Sequence, residues 1–332
     1  MSLADRRQPT LGSLEAQALR QRLAGAGLRL RTGPFRFRIR SVHEGVAEGL
    51  GLLYPDMPLA GDGDFVDFDV SLAPGRGVHR WWHRQARFLF DGQSPFEPLP
   101  QSQAFPLLEW GMNWCISSHA HWFLIVHAAV LERNGGALLL PAPPGSGKST
   151  LCAALMHSGW RLLSDELALV SVRDGRIWPL CRPVSLKNAS IEVMRAFVPS
   201  AVFSPEVRET SKGRVAHLRV PSDHVLRMEE PAVLRWIVFP RYRAEAPMQA
   251  QPRSRASTVV AVGRNAFNIN LFGRDGFDLI CRLVAGAQCF DFEYSRLGEA
   301  MQWFCALADT GWLPPEARPG ACDARPGERV RA

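Results

Sequence analysis

The stretch that most constrains this chain runs from Ala137 to His157. Ala137-Leu-Leu-Leu140 is a short apolar run with the character of a buried strand. It enters Pro141-Ala-Pro143-Pro144-Gly145-Ser146-Gly147 and leaves as Lys148-Ser149-Thr150 at the head of a helical pattern ending before Gly159. A strand, a Gly-containing loop closing on Gly-Lys-Ser, and a helix are the context a phosphate-binding loop requires. Ala142 stands where the strict pattern has its first Gly. Gly145 and Gly147 free the backbone to turn its amides towards phosphate oxygens, and the helix adds its positive end. Lys148 can then reach the outer phosphates, and the Ser149 hydroxyl can ligate Mg²⁺. Pro143 to Thr150 are therefore the candidate ATP-binding residues. An ordinary Pro/Gly turn would need neither flanking element nor the Lys-Ser-Thr.

Composition narrows the context. The chain has 332 residues, 46% hydrophobic and 21% charged, as a soluble globular protein of one large or two smaller domains would have. No apolar run approaches the roughly 20 residues of a membrane span, and Met1 to Arg7 lacks an apolar leader. The seven cysteines form no Cys-x-x-Cys pair. They read as reduced thiols of a cytoplasmic protein, with no disulfide frame or zinc site. The net charge of +7 is matched by nine Arg against Asp5 and Glu15 in residues 1–40. Without interleaved aromatic platforms, that arm reads as solvated and not as a nucleic-acid surface. Only three of the 39 basic residues are lysines: Lys148, Lys187 and Lys212. Where Arg fills nearly every basic position, a retained Lys marks a place that needs a compact point charge.

Four regions follow from the pattern: a basic lead-in (1–30), a β-rich N-terminal domain (31–105), a phosphate-loop domain (106–312) and a disordered Pro/Arg/Glu-rich tail (313–332). Phe35-Arg-Phe-Arg-Ile-Arg, Phe65 to Leu72 and Arg87 to Asp91 alternate as strands do. Trp81, Trp82 and His83 are expected to pack. Pro106 to Trp122 reads as a helix. His127 to Arg133 and Gly136 to Leu140 form a hairpin about Asn134-Gly135. Trp160 to Glu166 is a strand ending in two acids, expected to lie beside the phosphate-loop strand. Pro183 to Asn188 reads as a loop opening a helix. A nucleotide site needs an acid for Mg²⁺ and, for transfer, a group that takes the acceptor proton; Asp165 and Glu166 are placed to supply both. His119 and His121 have no third ligand nearby.

The block from His127 to Val170 resembles the catalytic core of the bacterial HPr kinase/phosphorylase family. The resemblance rests on His127-Ala-Ala-Val130, on Gly145-Ser-Gly-Lys-Ser149, and on Arg161-Leu-Leu-Ser-Asp-Glu166. Asn113-Trp-Cys, Pro183 to Asn188, Lys212-Gly-Arg-Val-Ala-His-Leu and Val238-Phe-Pro-Arg-Tyr make it look most like the offshoot called HPr kinase-related kinase A. The resemblance implies an α/β fold, with a PEP carboxykinase-like phosphate-loop kinase domain behind the β-rich N-terminal domain. It also implies a Mg-ATP-dependent kinase acting on a serine or threonine of a protein or peptide, HPr-like or a modified peptide. Asp165 would be the catalytic acid that takes the hydroxyl proton. Lys148, Ser149 and Thr150 would hold phosphates and Mg²⁺, Glu166 would help hold the metal, and His127 would sit near the γ-phosphate. The family's Glu-x-Arg-Gly-x-Gly segment is missing, with Pro183 to Asn188 in its region. The reverse phosphorylase activity and HPr itself as acceptor are therefore not carried over. Gly263-Arg264-Asn265 echoes a family tripeptide, which would make Arg264 a phosphate contact. The family is hexameric, but no residue here carries that over, and homo-oligomerisation stays open. A small-molecule hydroxyl kinase, a non-catalytic ATP sensor and a nucleotide hydrolase are the rival readings.

Overall fold

The computed structural model describes residues 8–143 and 145–310. The expected tail, the first seven residues of the lead-in and Pro144 of the loop lie outside these. The chain is a mixed α/β protein built on three sheets. Among the described residues, no helix is long and apolar enough to cross a membrane.

The first sheet contains β1 (Leu28–Thr32), β2 (Phe35–Ser41), β3 (Phe68–Pro74), β4 (Gln85–Phe90) and β5 (Leu99–Pro100), paired in that order. The alternation read in β2 sorts its side chains by face. Phe35, Phe37 and Ile39 are fully buried, while Arg38 and Arg40 on the other face both pair with Asp69 of β3. Helices α1 (Ala16–Ala24) and α2 (Glu44–Leu53) pack with this region, as does α3 (Ala104–His119). The sequence pattern had not shown α2, whose three glycines hide its apolar stripe of Val46, Leu50 and Leu53. Trp81 and Trp82 do not pack, contrary to expectation. They are 75% and 67% exposed on the connection between β3 and β4, and His83 is exposed beside them, because their ring partners there are local: Arg80 lies over Trp81 and the His83 ring meets Trp82.

The main sheet takes β6 (Phe123–Arg133), β7 (Gly136–Pro141), β8 (Arg161–Ser164), β9 (Leu167–Ser171) and β10 (Ile177–Trp178). Next in the chain comes a small separate sheet of β11 (Val184–Lys187), β12 (Val207–Thr210) and β13 (Gly213–Leu218), ordered β11-β13-β12. The main sheet is completed by β14 (Val233–Tyr242), β15 (Gln249–Pro252) and β16 (Gln288–Tyr294), giving β10-β9-β6-β7-β14-β16-β15 with β8 also on β6.

Alternate residues of β6 and β7 enter two different apolar clusters. Leu138 and Leu140 face the cluster shared with helix α4 (Lys148–Met156) and, at the far end, with Phe35 and Phe37 of the first sheet. Ala137 and Leu139 face Val262, Leu279 and Ile280 of α5 (Arg255–Arg264) and α6 (Ile269–Ala285). Both faces are covered, which is why these strands read as continuous apolar runs. The hairpin turn falls where expected: Asn134 and Gly135 have φ of 53° and 76°, as a type I′ turn needs.

Two placements differ from the sequence reading. Strand β8 pairs with β6 instead of β7. Because β6 is antiparallel to both, β8 still runs parallel to β7, and the two C-terminal ends reach the same edge of the sheet. Pro183 to Asn188 is not a loop: Val184 to Lys187 is strand β11, paired with β13. The pairing partner lies some thirty residues on, beyond the range of local pattern.

Candidate active site

The phosphate loop leaves the C-terminal end of β7. Gly145 and Gly147 both have φ of +84°, a conformation that favours glycine. At Gly147 space is also restricted. A Cβ there would lie 2.6 Å from the Tyr294 hydroxyl and 2.9 Å from Cβ of Tyr242. Tyr294 Oη donates to the Gly147 carbonyl at 3.1 Å, and the Tyr242 amide donates to the Ser146 carbonyl at 2.9 Å. The loop is thus pinned from the ends of β14 and β16, two parallel strands beyond β7. These tyrosines left no signal in the sequence, being separated from the loop by about 100 residues or more.

Lys148 opens α4 and is 8% exposed. Its Nζ donates to the Asp165 carbonyl at 3.0 Å. Ser149 Oγ lies 3.3 Å from Asp165 Oδ2, which also accepts from the Ser185 amide at 3.3 Å. The other oxygen, Asp165 Oδ1, is buried without a hydrogen-bond partner. Burial pushes the Asp165 carboxyl above its ordinary value and Glu166 adds to this, with Lys148 pulling the other way.

Glu166 is held differently. Asn113 Nδ2 donates to its Oε2 at 2.6 Å, and Lys187 Nζ lies 4.0 Å from Oε1. Burial pushes this carboxyl up, but Lys148, Lys187 and Lys212 together outweigh it and hold the acid below its ordinary value. Asn113 is fixed in turn by a buried set. Arg182 donates to Asn113 Oδ1 at 2.7 Å and to Glu109 Oε2 at 2.6 Å, and Tyr54 Oη donates to Glu109 Oε1 at 2.5 Å. This relay runs from α2's C-terminal end, through α3, to the end of β8.

His127 lies on β6 beside these acids. Its amide donates to the Asn265 carbonyl at 2.7 Å, and its ring stands 5.7 Å from that of Phe267. Burial, followed by the charge of Lys148, lowers its pKa to about 4, so the ring is neutral at neutral pH. The Gly263-Arg264-Asn265 tripeptide therefore abuts the site through the Asn265 backbone. No hydrogen bond or ion pair of the Arg264 side chain supports a site role among the described residues.

The three lysines of the chain converge. Lys148, Lys187 and Lys212 all act on both His127 and Glu166. Lys187 is carried by β11 and Lys212 by the turn between β12 and β13. The small sheet thus faces the phosphate loop across the two acids.

The residues present fit a Mg²⁺ ion. A helix-start hydroxyl within hydrogen-bond reach of a carboxylate oxygen, here Ser149 Oγ and Asp165 Oδ2, is a hard-oxygen donor pair, and Mg²⁺ takes one or two carboxylates alongside substrate phosphates. The nearest carboxylate oxygen to Ser149 belongs to Asp165, while Glu166 is engaged by Asn113. Among the described residues, no three His, Cys, Asp or Glu side chains form a group able to hold a metal by themselves. His119 Nδ1 is instead on the Cys115 carbonyl at 3.1 Å.

A comparison with protein-family models and with curated protein sequences finds no match.

Proposed function

We propose that the protein is an ATP-dependent kinase that transfers the γ-phosphate to a serine or threonine hydroxyl of a protein or peptide, in the manner of the HPr kinase-like enzymes its core resembles. The observation that carries this reading is the divided environment of Asp165. One carboxylate oxygen turns to Ser149 on the phosphate-loop helix, and the other is buried, unpaired and free to accept an acceptor proton. A protein that only bound nucleotide would have no need to leave a buried carboxylate oxygen unpaired beside the loop.

In this reading the loop amides of residues 145–150 and Lys148 hold the phosphates. Mg²⁺ would be held by Ser149 and the Asp165 side, where it would offset charge on the β- and γ-phosphates. Glu166 contributes negative charge nearby, kept in place by Asn113. Neutral His127 offers a hydrogen bond towards the γ-phosphate without adding charge. Asp165 orients the hydroxyl for in-line attack and takes its proton. Most of the acceleration comes from positioning and charge neutralisation.

Labelled Mg-ATP incubated with HPr and with a lysate of the source cells tests the reading, with Asp165→Asn beside the wild type. The expected result is a labelled protein band that falls by ~10²-fold or more in the variant while ATP binding persists. Equal labelling by the variant refutes the role of Asp165. ATP consumption that depends on a small-molecule pool, with no labelled protein, refutes the protein acceptor.

A further inference from the structure

A cleft opens beside Asp165. It is lined by Trp110, Asn113, Asp165, Glu166, Ser185 and His217, among others. Four of these present buried polar atoms without hydrogen-bond partners: Trp110 Nε1, Asp165 Oδ1, Ser185 Oγ and His217 Nε2. His217 is 1% exposed, Asp165 5% and Ser185 8%. Buried polar groups are nearly always paired, and leaving several unpaired in one place is costly unless a ligand completes them. Such a cluster is built to receive a polar group. The room between them is ≈ 20 Å³, enough for a water-sized group or one hydroxyl, and too little for a sugar ring.

The rim is cationic. Lys187 Nζ lies 4.0 Å from Glu166 Oε1, and Lys212 Nζ lies 4.8 Å from the centre of the Trp110 ring. Among the described residues, Lys212 has that ring as its partner and no carboxylate within ion-pair distance. Although Lys212 is an exposed residue, desolvation of its ammonium, and then the charge of Lys187, lower its pKa. Two lysines that repel each other at the rim of a polar cleft gain from an anion placed between them.

We propose that this cleft is the acceptor subsite, and that Lys187 and Lys212 select a hydroxyl carried next to an anionic group, as in a serine flanked by acidic residues. Trp110, Ser185 and His217 orient the hydroxyl towards Asp165, and the lysines read the flanking charge. The proposal rests on the kinase reading for the identity of the site, but its ligand preference is measurable without turnover.

The test is calorimetric titration of the full chain, saturated with Mg²⁺ and the β,γ-imido analogue of ATP. Three short peptides are compared: Asp-Ser-Asp, Ala-Ser-Ala and Asp-Ala-Asp cores with blocked ends. The Asp-Ser-Asp peptide is expected to bind about tenfold tighter than either other peptide. Lys187→Met/Lys212→Met should abolish the gain from the acidic flanks and leave the analogue's affinity within about twofold. Trp110→Phe, which removes the indole N–H together with part of the ring beneath Lys212, should weaken both serine peptides relative to Asp-Ala-Asp. Equal binding of acidic and neutral peptides, no binding by any peptide, or a gain that survives in the lysine variant overturns the proposal. A fall in nucleotide affinity instead would assign the lysines to the γ-phosphate and also overturns it. Selective peptide binding without transfer from labelled ATP would leave the subsite standing and remove the kinase reading.

Discussion

Arg182 is the residue on which the acid end of the site depends for its position, and its removal has a calculable cost. The guanidinium is 6% exposed on its side chain, against 5% for Glu109. It donates to Glu109 Oε2 at 2.6 Å, to the Glu109 carbonyl at 2.9 Å, to Asn113 Oδ1 at 2.7 Å and to Tyr54 Oη at 3.3 Å. Arg182→Met keeps much of the stem and removes all four bonds. The Glu109 carboxylate then stays buried with only the Tyr54 hydroxyl to oppose it. Breaking a buried pair by removing one partner costs about 3–5 kcal/mol, most of it the uncompensated charge left behind. Urea unfolding followed by tryptophan fluorescence should therefore show an unfolding free energy lower by that amount, read as a lower midpoint at unchanged slope. Arg182→Met/Glu109→Gln removes the stranded charge as well and should recover at least half of the loss, a coupling expected of residues in direct contact. A single variant within about 1 kcal/mol of wild type, or a double variant no better than the single one, would refute the reasoning. The double variant also separates stability from function. It folds but no longer anchors Asn113, so Glu166 loses its fixed orientation.

Two further perturbations test the loop and the histidine. Gly147→Ala must hold φ near +84° with a methyl 2.6 Å from the Tyr294 hydroxyl. It should weaken ATP binding by tenfold or more in titration calorimetry, whereas Gly145→Ala, with the same φ but nothing within 4 Å, should lose only the backbone term of about 1 kcal/mol. The His127 pKa is lowered to about 4, below the ~6.5 of an unfolded chain. As pH falls the unfolded state therefore protonates first, so its contribution is complete above about pH 6.5 and is lost on the way down to pH 4. His127→Gln should flatten that limb by about 2 kcal/mol in urea midpoints taken between pH 7.5 and 4.5; part of the slope remains because burial lowers His224 to about 4 as well. An unchanged limb would place His127 in water.

What the sequence made legible was local. The phosphate loop, the Asn134-Gly135 turn and the acids closing β8 are each set within a few residues, by glycine φ, turn chemistry and strand ends. What it hid was assembled over distance. Tyr54, Glu109, Asn113, Arg182 and Glu166 meet from four separate stretches of chain, and each alone reads as an ordinary polar residue. Tyr242 and Tyr294 reach the loop only because β14 and β16 lie parallel beyond β7. Strand β11 was missed because its partner β13 follows a helix and another strand. Trp81 and Trp82 were misplaced because apolar character does not by itself bring burial, and on this connection the two rings meet Arg80 and His83.

The lysines are the exception, a long-range feature that composition alone disclosed. Among the described residues, arginine is the cation of every arginine or lysine ion pair from Arg20–Glu44 to Arg296–Glu299 except Lys187–Glu166, and of both buried pairs, Arg161–Glu132 and Arg182–Glu109. Those positions reward a flat fork that can bond two oxygens at once. The cleft beside Glu166 has the opposite requirement. A guanidinium at position 187 would reach both Glu166 oxygens, compete with Asn113 and tie up the charge that is meant for a ligand. A compact ammonium at 4.0 Å leaves the acid with Asn113 and keeps its own charge available. The same logic applies at Lys212, where the ring of Trp110 supports the cation without neutralising it. Three point charges from a helix start, a strand and a turn converge on two acids, an excess of one positive charge that an anionic acceptor at the Lys187 and Lys212 side would neutralise.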